Sequence, residues 1–259
     1  MSTERLWPRL PEELPPVPLQ AELRLLVAST RAKRVPAKLL VFGQGRTGST
    51  LLGDLLASHP GFHFGNELLR ARTRWPARYL EGLRTRHAGQ VFCAHVKPYH
   101  LTDFQDVEDV SGWLRTMARR GWVIAHLQRH DVLRHALSNF TRNAVGVSHF
   151  KDSDARSAPR LVVRPEDLRT WMDARARMAA WERELVSGLP HETVVYERDL
   201  LPPEAWQPTA DRLWSAVGLS PVPVTTKLRK INPASLRDLL DNYDEVAASL
   251  QGTPYSQFL

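Results

Sequence analysis

Residues 39–52 read LLVFGQGRTGSTLL, and this stretch decides the fold. An apolar run, Leu39 to Phe42, leads directly into a glycine-rich turn and then into a helix-like sequence. The glycine spacing is that of a Walker A loop, in which backbone N–H groups and a helix N-terminus hold a phosphate. The position that holds lysine in a Walker A loop is Ser49 here. The stretch predicts a strand, loop and helix that bind a nucleotide without hydrolysing ATP.

The absence of the Walker A lysine limits which phosphate group the loop can bind. A β,γ-phosphate pair would lack its usual ammonium partner, whereas a single 5′-linked phosphate would not need one. The guanidinium of Arg46, the backbone N–H groups of 47–50 and the nearby hydroxyls supply the donors that such a phosphate requires. The residues that we expect to line this anion site are Gly45, Arg46, Thr47, Gly48, Ser49 and Thr50.

Composition places few further limits on the class of protein. The chain has 259 residues, which is long enough for one α/β domain with a full core. The sole cysteine, Cys93, excludes an internal disulfide and a cysteine-based zinc site, and it favours a reducing compartment. No apolar run approaches the ~20 residues that span a bilayer, and no signal-peptide pattern opens the chain. We therefore expect a cytoplasmic protein without a membrane span. The net charge of +7 favours an anionic ligand without identifying it.

Four apolar runs alternate with helical patterns: Lys38–Phe42, Val91–Val96, Trp122–Leu127 and Thr193–Tyr196. Runs that are apolar throughout are typical of strands covered on both faces. The sequence therefore predicts an α/β fold with a parallel β-sheet flanked by helices on both faces. The loops at the carboxyl ends of its strands should form the site. We expect residues 37–259 to form this domain and residues 1–36 to form an extension with a peripheral helix over 19–27.

Two later helices are indicated by their first residues. Pro165 precedes two acidic residues, which suit the positive end of a helix dipole. Asn232 and Pro233 have the residue types of an N-cap and a first helical position. The polar stretch between 145 and 160 predicts a loop.

A second anion signal follows the third strand. Arg129 lies where that strand ends, and Ser138 lies about two turns into a helix predicted to begin near Asp131. An arginine fork and a serine hydroxyl suit a second phosphate. The alternative is that Arg129 pairs with a carboxylate and Ser138 faces a neighbouring helix. A nucleotide with separate 5′ and 3′ phosphates needs two anion sites on adjacent strands, so the two signals together are more specific than either.

With these two motifs the chain resembles the P-loop sulfotransferases, which use 3′-phosphoadenosine-5′-phosphosulfate (PAPS). Residues 45–52 are similar to the 5′-phosphosulfate motif in the arginine-containing form of the bacterial and carbohydrate members. Residues 129–138 are similar to the 3′-phosphate motif. Their interval is one position longer than is commonest, so either an insertion precedes the helix or His130 shares the role of Arg129. The resemblance implies a three-layer architecture, PAPS as donor and 3′-phosphoadenosine 5′-phosphate (PAP) as product, with no metal.

Two weaker similarities extend the resemblance to about residue 243. Tyr196 and Glu197 are similar to the end of a strand that contributes to the donor site of the family. Lys227, Arg229 and Lys230 are similar to a late basic segment that folds over the 3′ side of the donor. The alternative for these three cations is a solvated basic face.

Sulfuryl transfer from PAPS requires alignment, stabilisation of charge on the leaving phosphate and removal of the acceptor proton. Arg46 is the candidate for charge stabilisation. Glu67 is the candidate base, because the resemblance places a catalytic glutamate after the first helix and burial would raise its pKa toward neutrality. His95 and Lys97 are the competing set, in the reverse of the order found in the phenol-sulfating relatives.

Two other functions fit parts of the sequence. A P-loop kinase or NTPase without its lysine would need a metal-holding acid at a strand end, and only Glu197 occupies such a place. A basic nucleic-acid-binding protein would need clustered arginines, but those of this chain are dispersed. We therefore expect a small-molecule or glycan acceptor, with no nucleic acid as partner. A homodimer remains open.

Overall fold

A computed structural model describes residues 14–31, 37–145, 150–151, 160–229 and 235–259. These residues group into two compact units. The sheet unit comprises residues 14–31, 37–128 and 181–226, and the helical unit comprises 129–145, 150–151, 160–180, 227–229 and 235–259. Lys230, Asn232, Pro233 and most of the loop expected between 145 and 160 lie outside the described residues. The boundary between an extension and a domain at residues 36 and 37 stays a prediction.

The sheet unit is built on five parallel strands in the order β2-β3-β1-β4-β6. The strands are β1 (Lys38–Phe42), β2 (Phe62–Phe64), β3 (Val91–Val96), β4 (Trp122–Gln128) and β6 (Glu192–Val195). Central strand β1 pairs Lys38 with Phe92 of β3 on one side and with Trp122 of β4 on the other. All five carboxyl ends therefore meet at one edge of the sheet.

Helices cover both faces of this sheet, as the continuous apolar runs predict. Leu39 and Val41 pack on one face with α2 (Ser49–Leu56) and α7 (Trp206–Ala216). Leu40 and Phe42 pack on the other face with α3 (Pro76–Arg84) and α4 (Val110–Arg119), and the end of α6 (Pro165–Val186) joins them. The α/β class with helices on both sides of a parallel sheet is confirmed.

Helix α1 (Leu19–Arg31) begins where the peripheral helix was predicted and continues for one further turn. It packs against α3, and Leu25 is its buried contact residue. Within the described ranges, no helix combines the length and the apolarity that crossing a bilayer requires.

The helical unit contains α5 (Val132–Val145), residues 165–180 of α6, α8 (Leu236–Leu239) and α9 (Tyr243–Leu250). It has its own apolar core, which includes Leu133, Leu168, Met172, Leu239 and Val246. Strands β5 (Phe150–Lys151) and β7 (Leu228–Arg229) form a short antiparallel pair. The predicted helix starts at Pro165 and near Asp131 are confirmed.

Candidate active site at the carboxyl edge of the sheet

The glycine-rich loop, residues 43–50, connects β1 to α2. Two of its residues adopt left-handed backbone conformations, Arg46 at φ 70° and Gly48 at φ 91°. Gly48 is the N-cap of α2 and has no side chain to close that helix end, and no acidic residue occupies the first turn. The N-terminus of α2 therefore presents backbone N–H groups to an anion, as the glycine spacing predicts.

Two side chains from residues that follow other strands contact the glycines of this loop. A Cβ added to Gly45 would lie 3.2 Å from Nζ of Lys97, and one added to Gly48 would lie 2.6 Å from Cδ2 of Tyr196. Lys97 follows β3 and Tyr196 follows β6. The predicted donor-site residue Tyr196 is therefore in contact with the loop, and Lys97 lies beside it as well.

A layer of buried polar groups supports the loop from within. Thr47 donates its hydroxyl proton to the carbonyl of Gln44 over 2.7 Å. The side-chain amide of Gln44 donates to Glu182 over 3.4 Å, and Glu182 lies 3.8 Å from Nε2 of His126. Because Thr47 is buried and its hydroxyl is used in this way, its backbone N–H is its available group for a phosphate.

Glu67 is brought to the loop by the backbone that continues β2. The N–H of Gly65 donates to the carbonyl of Cys93 over 2.7 Å, and the N–H of His95 donates to the carbonyl of Asn66 over 2.9 Å. Asn66 has φ 59°, a left-handed conformation that asparagine tolerates better than most residues. These bonds hold residues 65–67 alongside the end of β3, next to Lys97.

Two cationic or proton-bearing groups contact the carboxylate of Glu67. The ammonium of Lys97 lies 2.5 Å from Oε1, and Nε2 of His100 lies 3.7 Å from Oε2. The backbone N–H of Lys97 donates to Nδ1 of His100 over 3.2 Å, so the neutral ring carries its proton on Nε2, toward Glu67. Glu67, Lys97 and His100 thus form one electrostatic cluster.

The acid strength of Glu67 differs from the sequence expectation. Burial alone would raise the pKa of this carboxyl, but the N–H dipole of His100 and the charge of Lys97 outweigh burial. They hold the pKa of Glu67 well below its ordinary value. The expectation that burial raises it toward neutrality was wrong, because the partners that arrive from the end of β3 were not visible in the local sequence.

Burial favours the neutral form of His100 and of His95, which lies near the end of β3, close to Lys97. Burial lowers the pKa of His95 to about 3, and the charge of Lys97 adds to this effect. Burial likewise lowers the pKa of His100 to about 4 against the opposing effect of Glu67. The ring of His95 bonds to the backbone of Gly43, and no hydrogen-bond partner for its Nε2 lies among the residues that the structure describes.

Accessibility separates the two candidate bases. The side chain of Glu67 is 31% exposed, whereas His95 is 1% exposed. An acceptor hydroxyl can reach the carboxylate directly but cannot reach the imidazole without displacing its surroundings. This difference favours Glu67 as the group that meets an acceptor.

The remaining predicted donor residues belong to the helical unit. Arg129 directly follows β4, and Asp131 caps the start of α5 by accepting the N–H of Arg134 over 2.8 Å. Ser138 is buried and its hydroxyl donates to the carbonyl of His135 over 2.8 Å. Lys227 is exposed, Arg229 belongs to β7, and Lys230 lies outside the described residues.

Sequence reasoning missed His100 and Gln44 as parts of this site. His100 lies three residues after Lys97, and its role depends on a tight turn that directs its ring back to the strand end. Gln44 lies inside the loop motif, but its function depends on Glu182, which is distant in sequence. The position of His100 three residues after Lys97, which directly follows β3, was the one sequence signal that could have indicated its role.

Comparisons with known proteins found a family model that matches part of the chain and solved structures of low sequence identity. Residues 37–131 match the family model described as the sulfotransferase family. No curated protein matches the chain. A sulfotransferase from Alicyclobacillus acidocaldarius aligns with 85% of this chain and 95% of its own, at 12% identity and a TM-score of 0.45. The sulfotransferase domain from the curacin biosynthetic pathway aligns with 88% of this chain and 84% of its own, at 14% identity and a TM-score of 0.43. The segment that matches the family model, residues 37–131, contains the glycine-rich loop, Glu67 and Lys97.

Proposed function

We propose that the protein transfers a sulfuryl group from PAPS to a hydroxyl of a carbohydrate, glycolipid or small-molecule acceptor. One observation carries the proposal: Lys97 lies against Gly45 of the glycine-rich loop and also contacts the carboxylate of Glu67. An anion site and a reachable carboxylate are therefore only one side chain apart. That is the spacing that an in-line transfer between a phosphosulfate and a hydroxyl needs.

The loop residues fit the 5′ end of the donor. Gly45 and Gly48 have no side chains at the two points where Lys97 and Tyr196 approach. These two side chains can therefore pack directly against the loop backbone. The uncapped N-terminus of α2 and the guanidinium of Arg46 supply donors and positive potential for a phosphate. Ser49 and Thr50, in the first turn of α2, add hydroxyls.

Bound PAPS supplies an activated sulfuryl group, whose transfer breaks the S–O bond to the 5′-phosphate and forms an S–O bond to the acceptor oxygen. Glu67 orients the acceptor hydroxyl and takes its proton. Arg46 and Lys97 stabilise the negative charge on the departing phosphate oxygen and on the equatorial sulfuryl oxygens. As Lys97 turns toward those oxygens, Glu67 loses its ion-pair partner, and its pKa rises, which strengthens it as a base.

The 3′-phosphate is assigned to Arg129 and Ser138, with Lys227, Arg229 and Lys230 as further cations. This assignment depends on the family resemblance of residues 129–138. Arg129→Ala tests it directly, because PAP and AMP differ only in the 3′-phosphate. We expect the variant to bind the two nucleotides with similar affinity, whereas the wild type should prefer PAP. An unchanged preference would place the 3′-phosphate elsewhere.

Thermal unfolding with PAP or with ATP and Mg²⁺ tests the proposed function. A ligand that binds the native state raises the midpoint, so PAP should stabilise the protein and ATP with Mg²⁺ should not. Stronger stabilisation by ATP would instead favour a P-loop kinase or NTPase without its lysine. Incubation with labelled PAPS and a mixture of hydroxyl-bearing acceptors, followed by mass spectrometry, then identifies the product.

A further inference from the structure

An extended segment that leaves the Glu67 cluster presents arginines at alternate positions. Residues 70–75 read RARTRW, and we name Arg70, Arg72, Arg74 and Trp75 the arginine ribbon. Arg70 ends a short 3₁₀ turn, Leu68–Arg70, and the backbone becomes extended at Ala71. In extended backbone alternate side chains share a face, and Arg72 and Arg74 are exposed while Thr73 between them is buried. At about 3.3 Å per residue, the stretch from Arg72 to Trp75 spans at most about 10 Å. The ribbon is therefore much longer than a single functional group of an acceptor.

The inner side of the ribbon is fixed by one buried side chain, Gln105. Its Nε2 donates to the carbonyls of Leu69 and Ala71 over 3.0 and 2.8 Å. Its Oε1 accepts from the backbone N–H of Thr73 over 2.9 Å and from the Thr73 hydroxyl over 3.2 Å. Every hydrogen-bonding position of this amide is used on the ribbon or on the residue before it.

Two further contacts fix the edges of the ribbon. The N–H of Val17 donates to the carbonyl of Arg72 over 2.9 Å. Both carboxylate oxygens of the buried Glu22 accept the backbone N–H of Arg74, over 3.0 and 3.2 Å. The backbone that presents the arginines is thus held on several sides, which lowers the conformational cost of binding a ligand there.

The outer side of the ribbon carries excess positive charge. Arg72 is 52% exposed, and its carboxylate partner, Asp106, is itself 60% exposed. No carboxylate of the described residues pairs with the exposed side chain of Arg74. Trp75 follows at 42% exposure, a large apolar surface next to these charges. Exposed arginines beside an exposed aromatic ring are typical of surfaces that bind an anionic ring-shaped ligand.

The ribbon begins at the reactive cluster. The charge of Arg70 is close enough to His100 to lower its pKa, together with the larger effect of burial. His100 in turn contacts Glu67. Arg70 therefore links the carboxylate that meets the acceptor hydroxyl to Arg72 and Arg74.

We propose that the arginine ribbon is the acceptor-binding track and that the acceptor is an extended acidic molecule. It would be an oligosaccharide that carries carboxylate or sulfate groups, with one hydroxyl at Glu67 and its anionic groups along Arg72 and Arg74. The inference rests on the proposed function and narrows its acceptor class. Trp75 packs against a ring of the same acceptor.

Binding without the donor tests the ribbon separately from catalysis. Calorimetric titration with a uronate-containing oligosaccharide, with its sulfated form and with its carboxyl-reduced neutral form compares the anionic groups at constant chain length. We expect the two acidic forms to bind and the neutral form to bind at least tenfold more weakly, with a strong salt dependence for the acidic forms. Equal binding of the neutral and acidic forms would overturn the proposal.

Variants locate the binding surface. Arg72→Ala/Arg74→Ala should weaken binding of the acidic oligosaccharide about tenfold or more, while PAP stabilises the variant as it does the wild type. Arg74→Gln is a milder change, because it removes one charge and keeps the backbone N–H that donates to Glu22. It should show a smaller loss of binding in the same direction. Arg119→Ala, on α4, is the matched control for removing an exposed arginine. Undiminished binding in the folded double variant contradicts the proposal, whereas failure of PAP to stabilise the wild type would count against the proposed function alone.

Discussion

The ammonium of Lys97 lies 2.5 Å from Oε1 of Glu67. The two residues come from different strand ends, and their contact places a buried positive charge between the glycine-rich loop and the candidate base. The ion pair keeps Glu67 charged in the free protein. In the proposed donor complex, the ammonium of Lys97 would have two anionic neighbours, the carboxylate of Glu67 and the phosphosulfate.

Glu67→Gln should abolish turnover and leave donor binding nearly intact. The amide keeps the size of the side chain but cannot accept the hydroxyl proton, so we expect a rate loss of about 10²-fold or more. Asp103→Asn, an exposed acid in the turn after His100, is the control for loss of one negative charge. Single-turnover rates with saturating PAPS measure the effect. A variant that keeps its rate would move the base to His95, and His95→Ala is then the next measurement.

Lys97→Met should give the pH profile of kcat/KM, which reports on the free enzyme, an acidic limb that the wild type lacks. With Lys97 present, the pKa of Glu67 lies well below its ordinary value, so Glu67 stays ionised throughout the neutral and mildly acidic range. Without the ammonium, one of the groups that oppose the effect of burial is lost, so the pKa of Glu67 rises and activity should fall at the acidic end of the pH range. If activity depends on pH in the same way in the variant and the wild type, Lys97 does not control the charge of Glu67.

Arg46→Gly separates the guanidinium from the backbone of the loop. Arg46 has φ 70°, which glycine adopts readily, so the loop should keep its shape while losing the charge. We expect the transfer rate to fall by about 10²–10³. Arg119→Gly, on α4, controls for loss of an arginine. A rate within a few-fold of the wild type would exclude Arg46 from charge stabilisation.

Gly48→Ala should destroy donor binding, and Gly89→Ala is its matched control. Both glycines have nearly the same left-handed φ, 91° and 92°. An added Cβ at Gly48 would lie 2.6 Å from Tyr196, whereas nothing lies within 4 Å of one at Gly89. Both variants should lose about 1 kcal/mol of stability from the backbone, but only Gly48→Ala should lose stabilisation by PAP. Thermal midpoints with and without PAP decide between these outcomes.

The two buried histidines should make the protein less stable as the pH falls. Burial lowers the pKa of His95 to about 3 and that of His100 to about 4, from an ordinary value of 6.5. Between about pH 4 and 6.5 the unfolded chain therefore binds more protons than the native state, and stability decreases as the pH falls through this window. Each histidine adds a slope of up to about 1.4 kcal/mol per pH unit.

Urea denaturation at several pH values measures this slope. His100→Gln should reduce this slope, because one of the two groups no longer titrates. A His100→Gln slope equal to that of the wild type would show that the pKa of His100 is the same in the native and unfolded states.

The architecture could be predicted because its strands are continuous apolar runs. Lys38–Phe42 and Val91–Val96 match β1 and β3, and the third run is one residue shorter than β4. β2 was missed because Phe62–Phe64 is too short to show a period and contains His63. The fourth run was placed one residue late, since Tyr196 begins a helical turn against the glycine-rich loop.

The candidate site could be predicted only in part. The loop motif is contiguous, so its residues were found together. The cluster of Glu67, Lys97 and His100 depends on the register of β2 and β3, and the sequence did not reveal β2. The charge state of Glu67 could not follow from its neighbours in sequence, because its partners come from another strand end.

The burial of Cys93 has a practical consequence. This thiol lies at the centre of β3 with no exposed surface, and burial raises its pKa. It should resist alkylation in the native state, so a cysteine introduced at the surface, for example in place of Arg119, would be the single reactive thiol. A fluorophore or spin label could then be attached at one chosen point without first removing the natural cysteine.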